Sequence, residues 1–390
     1  MTQASYVYDG VRTPFARYGK AYSEIRPDDL GAEVIAALIT RNPGLDPERV
    51  DDVIFGNANG AGEDNRNVAR MSAILAGLPT SIPGATVNRL CGSSIEAVIQ
   101  GSRAIETGDA EVIIAGGVES MTRAPWVILK NSRPFPAANE TLHSTTLGWR
   151  MVNKKMDKRW TIPLGETAEL LADHYKISRE EQDAFALRSH SLADAAWQAG
   201  IFDQEIVIPE GTTLTRDENI RADSTPESLA GLKPAFLSDG SVTAGNSSPL
   251  SDGSSAVLLS RLNDDLGEPL ARITGRAVFA NDPNIFGIAP VEAANRALAR
   301  AGRSWAEVDF VELNEAFAAQ SLACLREWKE LDPEKLNVHG GAIAIGHPLG
   351  ASGTRLISRV AHELKARGSG VAIATICIGV GQGLAVVLER

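Results

Sequence analysis

Cysteine is scarce in this chain: Cys91, Cys324 and Cys377 are the only three in 390 residues. So few, so widely spaced, exclude a disulfide framework and a clustered zinc site, and they fit a reducing cytoplasm. Net positive charge is absent as well. The formal net charge is -11, and no basic stripe with interleaved aromatics occurs, which excludes non-specific nucleic-acid binding and leaves any anionic ligand dependent on a local basic site. The first thirty residues lack the uninterrupted apolar segment of a signal peptide, since Asp9, Arg12, Arg17 and Lys20 interrupt them; the chain is expected to start directly with fold. A membrane span is not expected either. Val371 to Leu388 is apolar, but Gly379, Gly381 and Gly383 divide it into two buried strands joined by a glycine turn.

What is present is ordinary globular material, 44% hydrophobic and 22% charged, enough for two or three packed domains. Residues 51–56 read as a strand, 92–107 as a helix, and 111–115 as a strand ended by Gly116-Gly117. In the last third, Pro290 opens a helix that Gly302 closes, 308–313 reads as a strand, and 351–366 is helical by its Leu356, Ile357, Val360 and Leu364 face. Strands alternating with helices imply a largely parallel, buried sheet. Val50-Asp51-Asp52-Val53 and Val308-Asp309-Phe310-Val311 hold matching places, which suggests a duplicated αβ unit. The middle, about 118–249, is Pro-rich and charged and reads as an inserted small domain, with Ser178 to Gln182 starting a helix through a capping pattern.

Cys91 lies where a polar loop, Val87-Asn88-Arg89-Leu90, meets the helix-patterned run from Gly92. A thiol of ordinary pKa roughly 8.5 becomes a nucleophile as thiolate, and a helix N-terminus or a nearby imidazole favours that form. A lone cysteine is more often a buried structural residue. Two further features change the balance: Gly346-His347-Pro348, and Cys377 at the head of Cys377-Ile378-Gly379-Val380-Gly381-Gln382-Gly383. The remaining candidates take blander readings. Cys324 shares helical spacing with Phe317, Ser321 and Trp328 and reads as core; His174, His190 and His362 read as helix-surface residues; His339, beside Gly340-Gly341, is a candidate to support the site.

These segments, in order, resemble the thiolase family from end to end. The resemblance is carried by Arg12-Thr13-Pro14, Arg26-Pro27-Asp28-Asp29-Leu30, Asn88-Arg89-Leu90-Cys91-Gly92-Ser93, Thr243-Ala244-Gly245-Asn246, Asn314-Glu315-Ala316-Phe317, Gly346-His347-Pro348 and Cys377-Ile378-Gly379. It implies an α/β fold in which two duplicated αβ domains form a five-layer αβαβα arrangement. The N-terminal domain would comprise 1–117 and 250–266, the inserted loop domain over coenzyme A 118–249, and the C-terminal domain 267–390.

It also implies an acyltransferase that reversibly cleaves a 3-oxoacyl-CoA, with coenzyme A as substrate and product and no permanently bound cofactor or metal. Cys91 would be the nucleophile, His347 its base, and Cys377 the acid/base. Asn314 would position a water that shares the enolate oxygen with His347, while the N–H groups of Cys91 and Gly379 would hold the tetrahedral oxyanion. Arg221 falls where the family contacts the adenosine end of coenzyme A, and Ser248 where it meets the pantetheine arm. Lys154, Lys155, Lys158 and Arg159 either assist a phosphate or form a solvated charge run.

The sequence departs from the family's pattern at Pro249 and Ser94, where glycine is usual, and at Leu164, where methionine is common near the acyl pocket. Ala61 to Arg70, Leu147-Gly148-Trp149-Arg150 and Val380 are similar to thiolases acting on 3-oxoadipyl-CoA in aromatic-compound breakdown. The alternatives are an acetoacetyl-CoA or general 3-oxoacyl-CoA thiolase, as in fatty acid metabolism, and a non-catalytic acyl-CoA-binding protein. A homodimer or homotetramer is expected by resemblance.

Overall fold

The computed structural model describes residues 3–390. Its strands are β1 (Ser5–Arg12), β2 (Ala16–Arg17), β3 (Asp52–Gly56), β4 (Gly84–Val87), β5 (Val112–Ser120), β6 (Trp126–Val127), β7 (His143–Ser144), β8 (Ser251–Ser260), β9 (Ala271–Ala280), β10 (Phe310–Leu313), β11 (Val371–Ile378) and β12 (Gln382–Glu389). Its helices are α1 (Pro27–Arg41), α2 (Val68–Leu75), α3 (Ser93–Thr107), α4 (Leu164–Tyr175), α5 (Arg179–Gln198), α6 (Pro226–Ala230), α7 (Ala289–Ala301), α8 (Ala318–Glu327), α9 (Ala342–Ile345) and α10 (Ser352–Arg367).

The main sheet runs β10-β11-β12-β9-β1-β8-β5-β3-β4, with β2 added beside β8. Contrary to the largely parallel sheet expected, only β3/β4, β3/β5 and β10/β11 pair in parallel, and the remaining pairs are antiparallel. The reason is the connections. A helical crossover returns a strand parallel, but the short turn between β11 and β12 forces a hairpin, and β8 comes back against β5 after the long middle segment. The two halves meet along β1 and β9, paired only over Ser5–Val7 and Ala271–Ile273.

Five layers follow from how the apolar faces are covered. One core joins α1 and α2 to the outer face of β1, β3, β5 and β8, and another joins α7 and α8 to β10, β11 and β12. Between the half-sheets lie α3 and α10, whose Ile95, Val98, Ile99, Leu356, Val360 and Leu364 pack with strands of both halves. A helix in that middle position has little solvent face, and α10 is buried at every residue from Ser352 to Leu364.

This corrects the surface reading of His362, which is buried and donates from Nε2 to the Gly10 carbonyl at 2.8 Å. Its buried charges are likewise matched. Arg355 reaches Glu312 at 3.0 Å, and Arg359 reaches Glu205 at 3.3 Å. Glu205 also accepts from Nε of the fully buried Arg12 at 2.7 Å, and Asp217 takes the two Nη groups at 2.7 and 3.0 Å.

The glycine pair after 111–115 does not end a strand, since β5 continues through Gly116 and Gly117 to Ser120. Close approach explains both residues. A Cβ on Gly116 would meet Ser255 O and the Phe55 ring, and one on Gly117 would lie 1.9 Å from Gly350 O, so the turn after His347 rests directly on β5. Local punctuation elsewhere is as read: Gly302 closes α7 at φ 69°, and Ser178 and Glu181 form a reciprocal cap on α5. Among the described residues no helix is long and apolar enough to cross a membrane.

Replacing Arg12 by Met leaves Glu205 and Asp217 buried without their main counter-charge, a loss expected to cost about 3–5 kcal/mol. Urea unfolding of Arg12→Met measures it; a loss under about 1 kcal/mol contradicts the view that these carboxylates depend on Arg12.

Candidate active site

The two central helices begin side by side. Ser94 Oγ, in the first turn of α3, accepts the Thr354 N–H from the first turn of α10 at 3.0 Å, and Gly353 leaves no room for a side chain against Ile95. Cys91 immediately precedes α3 and His347 shortly precedes α10, so the contact places both residues at one end of the middle layer. The C-terminal ends of β10 and β11 deliver Asn314 and Cys377 to the same region.

The loop into Cys91 is built to a fixed shape. Leu90 sits at φ 46°, with its N–H on Asn88 Oδ1 at 2.9 Å, while Ser93 Oγ accepts the Arg89 N–H at 2.9 Å and donates to Leu90 O at 2.6 Å. A Cβ on Gly92 would lie 2.4 Å from Ile378 Cδ1, so the loop after Cys91 lies against the residue next to Cys377.

Helix entrance and burial oppose each other at Cys91, and burial wins. The thiol pKa is pushed up to about 11 by desolvation, with Glu119 adding to the rise; the backbone N–H groups of Gly379 and of Cys91 itself work the other way. The expectation of a thiolate favoured at rest is therefore corrected to a neutral thiol. Cys377 is buried in an apolar cluster with Leu171, Phe286 and Phe317, and its thiol is raised well above the ordinary value by desolvation, with Cys91 contributing.

His347 is also uncharged at rest. Desolvation, assisted by the Arg355 charge, lowers its pKa to about 3. Ser352 Oγ donates to Pro348 O at 2.8 Å and so receives the His347 Nδ1–H at 2.6 Å, leaving the Nε2 lone pair toward Asn314 Nδ2 at 3.3 Å. Asn314 Oδ1 is buried without a protein partner among the described residues. A neutral imidazole whose Nε2 lone pair is held only by the long Asn314 amide contact can take a proton. Backbone N–H groups that favour negative charge on a sulfur, as those of Gly379 and Cys91 do, can also hold an oxyanion formed beside it.

Of the coenzyme A candidates, Arg221 lines a cavity of about 210 Å³ together with Arg17, His190, Ala244, Ser247 and Pro249. Ser248 lies between two of its lining residues but turns its N–H and Oγ to Ala316 O at 3.0 and 3.1 Å. The surface reading of His190 is corrected: it is buried, and its Nδ1 accepts the Arg221 N–H at 3.2 Å, with desolvation lowering its pKa to about 4. His174 is exposed and Cys324 fully buried, as read. His339 binds Glu363 at 2.8 Å, a contact separate from those of His347. Lys154, Lys155, Lys158 and Arg159 are exposed, and Asp157 pairs with Arg159. Among the described residues no group of three or more His, Cys, Asp or Glu could hold a metal ion.

Sequence reasoning missed Ser352, which fixes the imidazole tautomer, and Glu315. The Glu315 carboxylate accepts from Ser189 Oγ, Asn337 Nδ2 and Ile343 N at 2.7, 2.7 and 3.1 Å, tying α5 and α9 to the residue after Asn314. Only the position of Glu315 inside Asn314-Glu315-Ala316-Phe317 could have drawn attention to it.

Residues 5–263 match the thiolase N-terminal domain and 267–390 the thiolase C-terminal domain. The chain is 48% identical over 398 residues to a 3-oxoadipyl-CoA/3-oxo-5,6-dehydrosuberyl-CoA thiolase of Escherichia coli, covering 99% of each chain. It is 48% identical over 401 residues to a beta-ketoadipyl-CoA thiolase of Pseudomonas aeruginosa, covering 100% of each. Its fold is similar to that of human mitochondrial 3-ketoacyl-CoA thiolase in complex with CoA, with TM-score 0.92 and 39% identity over 100% of this chain and 98% of the other.

With Cys91 protonated at rest, its alkylation by iodoacetamide, followed on the Cys91 peptide by mass spectrometry, should rise about tenfold per pH unit between about pH 7 and 9. A raised pKa means less thiolate at neutral pH, so a plateau below about pH 8 overturns the neutral-thiol assignment.

Proposed function

The chain belongs to the thiolase family, and from that premise we propose that it cleaves 3-oxoadipyl-CoA with coenzyme A, giving acetyl-CoA and succinyl-CoA by way of an acyl-Cys91 intermediate. The substrate rests on full-length similarity to relatives named for 3-oxoadipyl-CoA or beta-ketoadipyl-CoA. The chemistry rests on one observation above the others: the Ser94–Thr354 contact sets the Cys91 thiol and the His347 imidazole, both neutral, at one end of the central layer.

As Cys91 sulfur bonds to the 3-oxo carbon, its proton passes to His347 Nε2, and the former carbonyl oxygen takes up negative charge beside the N–H groups of Cys91 and Gly379. Both ionised partners are unfavourable in a dry site, so transfer is coupled to attack rather than preceding it. Collapse of the adduct breaks the bond between carbons two and three. The electron pair passes to the acetyl-CoA enolate, whose oxygen accepts hydrogen bonds from the new Nε2–H of His347 and from a water held by Asn314 Oδ1. The Cys377 thiol then protonates the enolate carbon. Its burial suits it to this role, because a reluctant thiolate is a strong base and can take the proton of incoming coenzyme A, whose sulfur displaces the succinyl group from Cys91 while the departing Cys91 sulfur recovers its proton from His347 Nε2.

Arg221 and Ser248 are assigned to coenzyme A, with the cavity beside Arg221 as part of its approach and 118–249 as its cover. The three free thiols suit a reducing compartment, and we place the reaction in the cytoplasm. Self-association as a dimer or tetramer is supported by the unpaired edge of β4 and by exposed Trp126, Leu129 and Phe135. A broader 3-oxoacyl-CoA specificity is the second reading, favoured by 44% identity to a 3-ketoacyl-CoA thiolase of Aliivibrio fischeri.

Steady-state cleavage of 3-oxoadipyl-CoA, acetoacetyl-CoA and a longer neutral 3-oxoacyl-CoA separates the two. The expected order places 3-oxoadipyl-CoA first in kcat/KM by about tenfold or more, and preference for a neutral chain defeats the adipyl assignment. Cys91→Ala should abolish the acyl adduct seen by mass spectrometry. Cys377→Ala should leave Cys91 alkylable while slowing turnover about 100-fold or more; equal loss of alkylation in both variants contradicts the division of roles.

A further inference from the structure

Glu119 is a buried carboxylate that the steps above do not use. It stands near the C-terminal end of β5, 3% exposed, and no salt bridge reaches it among the described residues. Its Oε2 accepts two backbone N–H groups, from Ala58 after β3 at 2.9 Å and from Gly350 at 2.8 Å. Gly350 lies in the turn between His347 and Ser352, the two residues whose mutual hydrogen bond fixes the imidazole. That turn is held onto β5 from several sides. A Cβ on Gly350 would meet Val118 O at 2.4 Å, and one on Gly117 would meet Gly350 O. Without the Glu119 acceptor the buried Gly350 N–H loses its partner, and the backbone carrying His347 keeps only its attachments to β8, from the His347 N–H to Ser251 Oγ at 3.2 Å and from Ser255 Oγ to Ala351 O at 2.6 Å.

Glu119 is also tied to the loop that carries Cys91: the carbonyl of Ala58, whose N–H it accepts, takes Nδ2 of Asn88 at 2.9 Å, and Asn88 Oδ1 holds the Leu90 N–H at 2.9 Å, so that a charge on Glu119 adds to the rise of the Cys91 pKa. From the segment after β3, Asp64 adds like charge; Asp64 is itself raised to about 6 by burial and influenced by Asp28 of α1, while its Oδ1 accepts from Asn57 at 3.0 Å. From the α10 side the Gly350 N–H faces it, and from the segment after β3 the N–H groups of Ala58 and Asn59, all favouring the carboxylate. Burial outweighs these donors and raises Glu119 to about 8.

We propose that Glu119 is a positioning residue of the thiolase reaction: it fastens the turn joining His347 to Ser352 onto the sheet, and a negative charge on it works against the Cys91 thiolate. This rests on the assignment of Cys91 and His347 above. The sign follows from burial. Below about pH 8 Glu119 is mostly protonated and nearly silent toward Cys91; above that pH its charge opposes ionisation of the thiol.

Two variants separate the parts. Glu119→Gln keeps an acceptor oxygen and removes the titration; Glu119→Ala removes both. Iodoacetamide alkylation of the Cys91 peptide is compared with the parent protein across the pH range, and kcat and KM for coenzyme A are measured at neutral pH. For Glu119→Gln the variant-to-parent alkylation ratio should rise from about one near pH 7 to about threefold or more near pH 9.5. For Glu119→Ala, kcat should fall about 10- to 100-fold while KM for coenzyme A stays within about twofold, with Glu119→Gln recovering most of that loss.

A ratio that stays flat with pH overturns the electrostatic part, and equal kcat in the Ala variant and the parent overturns the positioning part. If the Ala variant fails to fold, the Gln ratio and its kcat decide: a flat ratio with parental KM and tenfold lower kcat refutes the proposal as stated. Alkylation uses no acyl-CoA, so a wrong acyl substrate leaves this test intact, whereas failure of the parent to cleave any 3-oxoacyl-CoA refutes the enzymatic reading itself.

Discussion

The contact between the first turns of α3 and α10 is the constraint on which the site depends. Cys91 and His347 are 256 residues apart in the chain, and neither strand order nor local sequence alone brings them together. A middle layer of two helices, packed so tightly that Gly353 meets the backbone of α3, sets their N-terminal ends at one place. Ser94 supplies the hydroxyl that accepts from Thr354, a polar bond across the joint that a glycine there would lack.

Putting the site in the middle layer has an electrostatic consequence. Water is excluded on both sides, so thiol and imidazole are both driven toward their neutral forms, the first upward and the second downward in pKa. The layer tolerates permanent charges only with matched partners: Arg355 with Glu312, and Arg12 and Arg359 with Glu205 and Asp217. The Cys91 thiol and the His347 imidazole have no such permanent match. In the proposed reaction their charges belong to the moment of bond formation, when fixed N–H donors are worth most because they need no reorientation.

Elements with local punctuation were legible in the sequence: α7 between Pro290 and Gly302, the β11–β12 hairpin through its glycines, and the capped start of α5. The ordered motifs also pointed to Cys91, His347, Asn314 and Cys377. What local pattern could not reveal was a second covering layer. The apolar stripe of α10 suggested an exposed opposite face, yet that face is buried against the other half-sheet, and His362 finds its partner 352 residues away in Gly10. His190 escaped notice for the same reason, since its partner is a backbone N–H on a distant loop. Gly116-Gly117 read as a strand end because glycine is ambiguous between a turn and a close approach; only the neighbouring Gly350 turn decides between them.

The duplication suggested by the two Val-Asp segments acquires physical content in the hydrogen bonds. Asp51 N donates to Val112 O at 2.9 Å and Asp309 N to Val371 O at 2.8 Å, while the side chains of Asp51 and Asp309 accept from Val112 N and Val371 N at 3.0 and 2.8 Å. Counting forward from these anchors along the parallel pairs β3/β5 and β10/β11 sets Gly56 opposite Asn314 in the two halves, and Val118 opposite Cys377. The anchors at one end of each sheet are thus alike and the residues at the other end are not. Sheet geometry constrains the first, since a strand start needs its donors and acceptors paired wherever it occurs. The strand ends face the shared space above the central helices, where one half carries the thiol at its helix entrance and the other the imidazole. A reaction needing an acid, a base and a nucleophile at one carbon–carbon bond is better served by two such ends that differ than by two that match.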